Sequence, residues 1–161
     1  MRESVTVVIF PSHVSQNMWY LVATDGSEIS DRAIEHAAVE ACARDANLRI
    51  VHVLTPEIKL VDGAIVLPGE REAIEHSQRM LERAARLATS TAAEHGTEIE
   101  ISTELLTGRP ADAITEYAKE RNVDVIFVGH RGRADSDVDR GSGSVAKSVV
   151  DKASVPVTVV R

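Results

Sequence analysis

Aromatic side chains are scarce in this chain: 3% of its 161 residues, although 43% are hydrophobic. The core must therefore be Val, Ile, Leu and Ala, which suits helices packed on a parallel sheet better than an aromatic-rich β-sandwich. Cysteine occurs once, which excludes an intrachain disulfide and a cysteine-based zinc site. That residue, Cys42, follows Ala37, Ala38 and Ala41 and is expected to be a small core residue, not a nucleophile. Positive charge is also in deficit. The chain has 18 Lys and Arg against 25 Asp and Glu, net −7, and lacks the broad basic face that nucleic acid requires. No apolar run approaches the ~20 residues of a membrane span. The early VTVVIF is short for a signal-peptide core and runs into Pro11. The expectation is a soluble cytoplasmic protein with no membrane or nucleic-acid partner.

What is present is regular from Met18 onward. Residues 1–17 fit the pattern poorly and are set apart as an extension without assigned function; 18–161 reads as one domain. WYLVAT is a continuous apolar run ending in Asp25-Gly26-Ser27, a strand and turn. Ser30 is expected to cap a helix to about Ala46, with Ile34, Ala37, Ala38, Ala41 and Cys42 on one face. LRIVHVLT is the second strand, stopped by Pro56, and EIKLVDGAIVLPG reads as a loop. A long helix follows from about Glu70 to Glu94, with Ile74, Leu81, Ala84, Ala85, Ala88 and Ala92 as its apolar stripe and Gly96 ending it. EIEISTELL is the third strand. Gly108-Arg109-Pro110 opens a helix whose inner face carries Ala113, Ile114, Tyr117 and Ala118. VDVIFVG and VPVTVV are the fourth and fifth strands, separated by a helix from about Ser144 to Lys152. Strands alternating with helices predict an α/β fold: a doubly wound, five-stranded parallel sheet in the order 3-2-1-4-5, with helices on both faces.

That order fixes where a ligand belongs. In an open parallel sheet the binding crevice lies beyond the carboxyl ends of the strands, where the winding reverses. Here it lies between strands one and four, whose ends are ATDGS and FVGHRG. Gly129 and Gly132 leave backbone N–H groups unshielded. Gly143-Ser144 begins the last helix, where free N–H groups and the dipole favour an anion. The Ser144 hydroxyl can cap that helix or bond a phosphate oxygen, and Arg131, Arg133, Arg140 and Lys147 can add positive charge. Phosphate is the natural guest; glycines that only turn the chain are the plainer alternative. The loop is neither a GKS/GKT phosphate loop nor a GxGxxG fingerprint.

The residues also carry a family likeness. ATDGSEIS, VHV, GRPADAI, VDVIFVGHRG and GSVAKSVVDKASVPVTVV make residues 18–161 resemble the universal stress protein family, in the branch that binds ATP. That family's loop reads G-x2-G-x9-G-[ST]. Here ten residues, 133–142, separate Gly132 from Gly143-Ser144, so the loop is one residue longer. It also carries Asp135, Asp137 and Asp139, which would repel a triphosphate unless solvated or sharing a cation. Their spacing matches the start of a calcium loop, but the closing position falls on Ala146, so they are read as solvated loop acids.

The resemblance implies an adenine-nucleotide α-hydrolase-like fold and a stress-response regulatory protein holding ATP, with Mg²⁺ or Mn²⁺ on its phosphates. Ala23 and Asp25 would end strand one beside the nucleotide, Asp25 near the ribose or the phosphate-bound cation. Val53 would read the adenine edge with its own N–H and C=O. Val128 and Gly129 would line the floor, and Gly132, Gly143, Ser144 and Val145 would hold phosphates. It further implies a homodimer paired through the last strand, burying Val157 and Val159. No catalytic residue is assigned, so any hydrolysis is expected to be slow. A nucleotide-free interaction module with the same fold is the alternative. A hydrolase of the same fold group would need the SGGxDS loop this chain lacks. Of the histidines, His36, His76 and His95 read as solvated, His52 as packed, and His130 as a loop residue that either touches phosphate or faces water.

Overall fold

The computed structural model describes residues 18–56, 59–66, 69–131 and 143–161. Residues 1–17 and the loop positions Gly132, Arg133, Asp135, Asp137, Asp139 and Arg140 lie outside the described residues.

The chain runs β1 (Trp19–Ala23), α1 (Glu28–Ala43), β2 (Asn47–Leu54), β3 (Lys59–Val61), β4 (Ala64–Val66), α2 (Glu70–Glu94), β5 (Ile101–Thr107), α3 (Pro110–Glu120), β6 (Val125–Gly129), α4 (Ser144–Lys152) and β7 (Val157–Val160). Five strands form one parallel sheet in the order β5-β2-β1-β6-β7, which is the expected 3-2-1-4-5. Side chains alternate across it. Tyr20, Val22, Leu48, Ile50 and Phe127 pack on one face with Ala33, Ala37, Ala38, Ala41, Leu81, Ala84 and Ala88 of α1 and α2. Leu21, Val51, Ile126 and Val128 pack on the other with Ile114, Tyr117 and Ala118 of α3 and Ala146 and Val149 of α4. Cys42 is only half-buried beside the α1 stripe, and burial pushes its thiol pKa up, which makes it a poor nucleophile.

Three helices end alike. Asp45, Gly96 and Asn122 adopt φ values of 52°, 66° and 51°. In each case the next N–H reaches back to a helix carbonyl: Ala46 to Ala41, Thr97 to Ala92, Val123 to Ala118. This left-handed closure turns the chain sharply into the following strand. It also stops α1 at Ala43, short of the Ala46 expected from the sequence.

Two local expectations need correction. The helix cap is Ser27, not Ser30: its side chain accepts the Ser30 N–H at 3.2 Å, and α1 already starts at Glu28. The segment after β2 is not all loop. Lys59–Val61 and Ala64–Val66 pair antiparallel around Asp62-Gly63, both at positive φ, 51° and 79°, the geometry a two-residue hairpin demands. Strands of three residues are too short to show an alternating pattern; the Asp-Gly pair was the available signal. Among the described residues no helix is long and apolar enough to cross a membrane.

Candidate functional site

The winding reverses between β1 and β6, and a cavity of about 240 Å³ opens there. Its walls come from the end of β1 (Ala23, Thr24, Asp25), the end of β2 (His52, Val53), and the end of β6 with its exit (Val128, Gly129, Arg131). The first turn of α3 with its follower (Pro110, Ile114), the start of α4 (Gly143, Ser144, Val145, Ala146) and Ser30 complete it.

The turn after β1 is closed by its own side chains. Gly26 N–H donates to Thr24 Oγ1 at 3.1 Å, and Ser27 N–H to Asp25 Oδ1 at 3.0 Å. Ser30, buried, donates from its hydroxyl to Ser27 O at 2.8 Å and lies 3.1 Å from Thr24 Oγ1. Gly26 has φ 78°, and a Cβ there would stand 3.1 Å from Met80 Cε of α2. The sequence DGS thus carries a turn whose left-handed backbone favours glycine, with Asp25 at the cavity wall.

At the end of β2 the ladder leaves a gap. Thr24 N–H donates to Val51 O at 2.9 Å, and Gly108 N–H to Leu54 O at 3.2 Å. Backbone groups of successive strand residues face opposite neighbours. Val51 and Val53 therefore face the β1 side, whereas Leu54 faces β5. Because β1 ends at Ala23, the partner of Val51, the Val53 N–H and C=O look past the end of that strand into the cavity.

The opposite wall is the start of α4. Gly143 is its N-cap, with no side-chain cap bond, and the Gly143 N–H donates to His130 O. Ser144 is exposed at the first helical position, so its hydroxyl does not cap the helix, correcting one of the two roles open to it in the sequence. The first turn of α4 lines the cavity and brings the positive end of the helix to it. His130 N–H donates to Val160 O at 2.8 Å, which ties β6 to β7. Among the described residues its Nδ1 is buried without a hydrogen-bond partner; the residue is half-buried and lies outside the cavity wall. At Gly129 a Cβ would lie 2.7 Å from Ile29 Cγ2; this glycine admits the first turn of α1.

Of the residues singled out from the sequence, Ala23, Asp25, Val53, Val128, Gly129, Gly143, Ser144 and Val145 meet in this one cavity; Gly132 lies outside the described residues. Sequence reasoning passed over Thr24, Ser30, His52, Pro110, Ile114 and Ala146, which also line it. Its alternation with core residues of the strand makes His52 read as packed. The neighbouring strand end that makes it a wall residue is set by the fold. Among the described residues no group of three or more His, Cys, Asp or Glu is arranged to hold a metal ion.

Comparison with known proteins agrees with this architecture. The model of the universal stress protein family matches residues 20–161. A universal stress protein of Thermus aquaticus is 37% identical over 144 residues, covering 88% of this chain and 96% of that protein. One from Methanocaldococcus jannaschii is 33% identical over 145 residues, covering 88% and 80%. One from Mycobacterium tuberculosis is 31% identical, and there the match covers 89% of this chain but 48% of the relative. Among solved structures, the universal stress protein from Archaeoglobus fulgidus in complex with dAMP superposes with a TM-score of 0.67 at 26% identity, covering 89% of this chain and 98% of that one. A universal stress protein in complex with cAMP gives 0.66 at 25%, covering 89% and 97%. The chain belongs to the universal stress protein family.

Proposed function

We propose that this protein binds ATP in the cavity between β1 and α4 and acts as a nucleotide-dependent regulatory protein of the stress response. The observation that carries the reading is the pair of complementary walls. Val53 turns one backbone donor and one acceptor past the end of β1, a match for the amino group and adjacent ring nitrogen of an adenine edge. On the other wall α4 begins at Gly143 with no side-chain cap and brings the positive end of a helix to the cavity, the setting in which phosphates bind. The family relatives solved with dAMP and cAMP support an adenine nucleotide as the class of ligand. Asp25 sits where it meets the ribose hydroxyls or a Mg²⁺ or Mn²⁺ ion carried by the phosphates. No catalytic residue is assigned, so the reading is binding with at most slow hydrolysis.

The test is mass spectrometry of what the purified, denatured protein releases, followed by calorimetric titration of ATP and GTP into protein stripped of nucleotide. ATP released or bound in preference to GTP is expected. A protein that releases no nucleotide and binds neither would instead be a nucleotide-free interaction module.

We further propose that the protein is a homodimer paired through β7. This strand is a sheet edge, and Val159 is 36% exposed on it; an open apolar edge invites pairing.

A further inference from the structure

His52 stands one residue before Val53, and successive strand residues point to opposite faces. Val53 packs on the α3 and α4 side, so the imidazole of His52 lies on the α1 side, beneath the turn that leaves β1. Its Nδ1 is 2.7 Å from Thr24 O. A carbonyl oxygen only accepts, so Nδ1 carries the proton. The remaining protons then follow one after another. Ser30 donates to Ser27 O, so at the 3.1 Å contact between the two hydroxyls Thr24 donates to Ser30 Oγ. Thr24 Oγ1 accepts the Gly26 N–H, and Asp25 Oδ1 accepts the Ser27 N–H. Every donor in this chain finds an acceptor in one direction only. The carbonyl of Thr24, a residue 5% exposed, makes none of these bonds but belongs to the residue whose hydroxyl does, and its donor is His52.

We infer that His52 is a positioning residue: by donating to the Thr24 carbonyl it fixes the β1–α1 turn and thereby aims the Asp25 carboxylate into the cavity. A buried carbonyl that loses its donor must find another or move, and here movement means displacing the two residues that follow. The effect on ligand rests on the nucleotide reading above; the effect on the turn does not.

Two measurements separate these. The first is amide hydrogen exchange of the full chain without ligand, comparing the parent with His52→Leu, His52→Asn and His52→Gln. The Asn side-chain nitrogen occupies the place of Nδ1, whereas that of Gln reaches the place of Nε2. Exchange of the Gly26, Ser27 and Ser30 amides is expected to rise about tenfold in the Leu and Gln variants, and to stay near the parent in Asn. Amides of β7 should be unchanged in all, which shows the variants are folded. Equal protection of the turn in parent and Leu variant overturns the inference. So does a His52→Asn protein no better protected than His52→Leu.

The second is calorimetric titration of ATP into the parent, His52→Leu, Asp25→Ala and the double variant. Binding weakened about tenfold by His52→Leu in the parent, and not weakened further in the Asp25→Ala background, is the expected result. Equal losses in both backgrounds contradict an action through Asp25. A parent that does not bind ATP counts against the nucleotide reading alone, because the exchange experiment decides the positioning role without it.

Discussion

Ile29 Cγ2 occupies the space a Cβ on Gly129 would need, 2.7 Å away. The glycine at the end of β6, which also lines the cavity, is thus required by the packing of α1. Gly129→Ala is expected to destabilise the fold by about 1–3 kcal/mol, the usual cost of forcing a methyl into a filled site. Combined with Ile29→Ala, which removes the obstructing atom, the two losses should sum to less than their separate values. Denaturant unfolding of the single and double variants measures this. Strict additivity would place the constraint on Gly129 elsewhere, such as the Arg131 carbonyl 3.4 Å away.

Asp25 accepts the Ser27 N–H and is proposed to meet the nucleotide; two substitutions separate the two roles. Asp25→Asn keeps an oxygen for the Ser27 N–H but loses the charge, whereas Asp25→Ala loses both. If the carboxylate meets a phosphate-bound cation, Asn should weaken ATP binding about tenfold in Mg²⁺ and have little effect in EDTA. The same loss in both buffers would assign Asp25 to the ribose hydroxyls instead. If the loop acids Asp135, Asp137 and Asp139 face the phosphates and not solvent, they should act in the opposite sense. Replacing all three by Asn should tighten ATP more in EDTA than in Mg²⁺.

Both tyrosines resist ionisation. Burial raises the phenol pKa of Tyr20, with Glu40 and Asp124 adding to it against Arg44. Burial also raises that of Tyr117, which donates to Glu104 Oε2 at 2.7 Å and accepts from Arg49 at 3.3 Å. A folded-state pKa above the unfolded value contributes stability that is present below the unfolded pKa, near 10, and is lost as pH rises through the folded one. Ultraviolet titration should therefore show tyrosinate forming at higher pH in the folded than in the denatured protein, and stability should fall on the alkaline side. Tyr117→Phe should make that fall shallower. Coincident titration curves for folded and denatured protein would contradict the burial of both rings.

Pairing through β7 makes a concentration-dependent prediction. Light scattering at micromolar concentration should give a dimer, and changing Val157 and Val159 together to Lys should give a monomer. A parent that is monomeric, or a double variant that remains dimeric, removes β7 as the interface.

The sequence reported the sheet well because its strands are continuous apolar runs, each stopped by a turn residue, and few right-handed arrangements exist for them. The switch point then places Asp25 and Gly143 at one crevice from the order of the strands alone. The misses share a cause: each depends on which neighbour a residue meets. Ser27 and Ser30 are equally good caps by type, and only the backbone at Ser27, φ −77° and ψ 161°, decides between them. Asp62-Gly63 sat between strands too short for a periodic signal. His52 reads as a core residue because its partner, the Thr24 carbonyl, lies in the turn after another strand and has no side-chain signature. Ser144 looked like a cap, but the chain enters α4 one residue earlier, through Gly143.

The central claim is a place: adenine against the end of β2, phosphates on the start of α4. Amide chemical-shift mapping of the isotope-labelled protein, titrated with ATP to about 1 mM, addresses it most directly. Shifts should concentrate at Asp25, Val53, Gly129 and residues 143–146, the Val53 and Ser144 amides among the largest, and be smaller in the Asp25→Ala protein at equal ATP. Shifts centred on β7 or on the β3–β4 hairpin, or an unchanged spectrum at that concentration, would contradict the account.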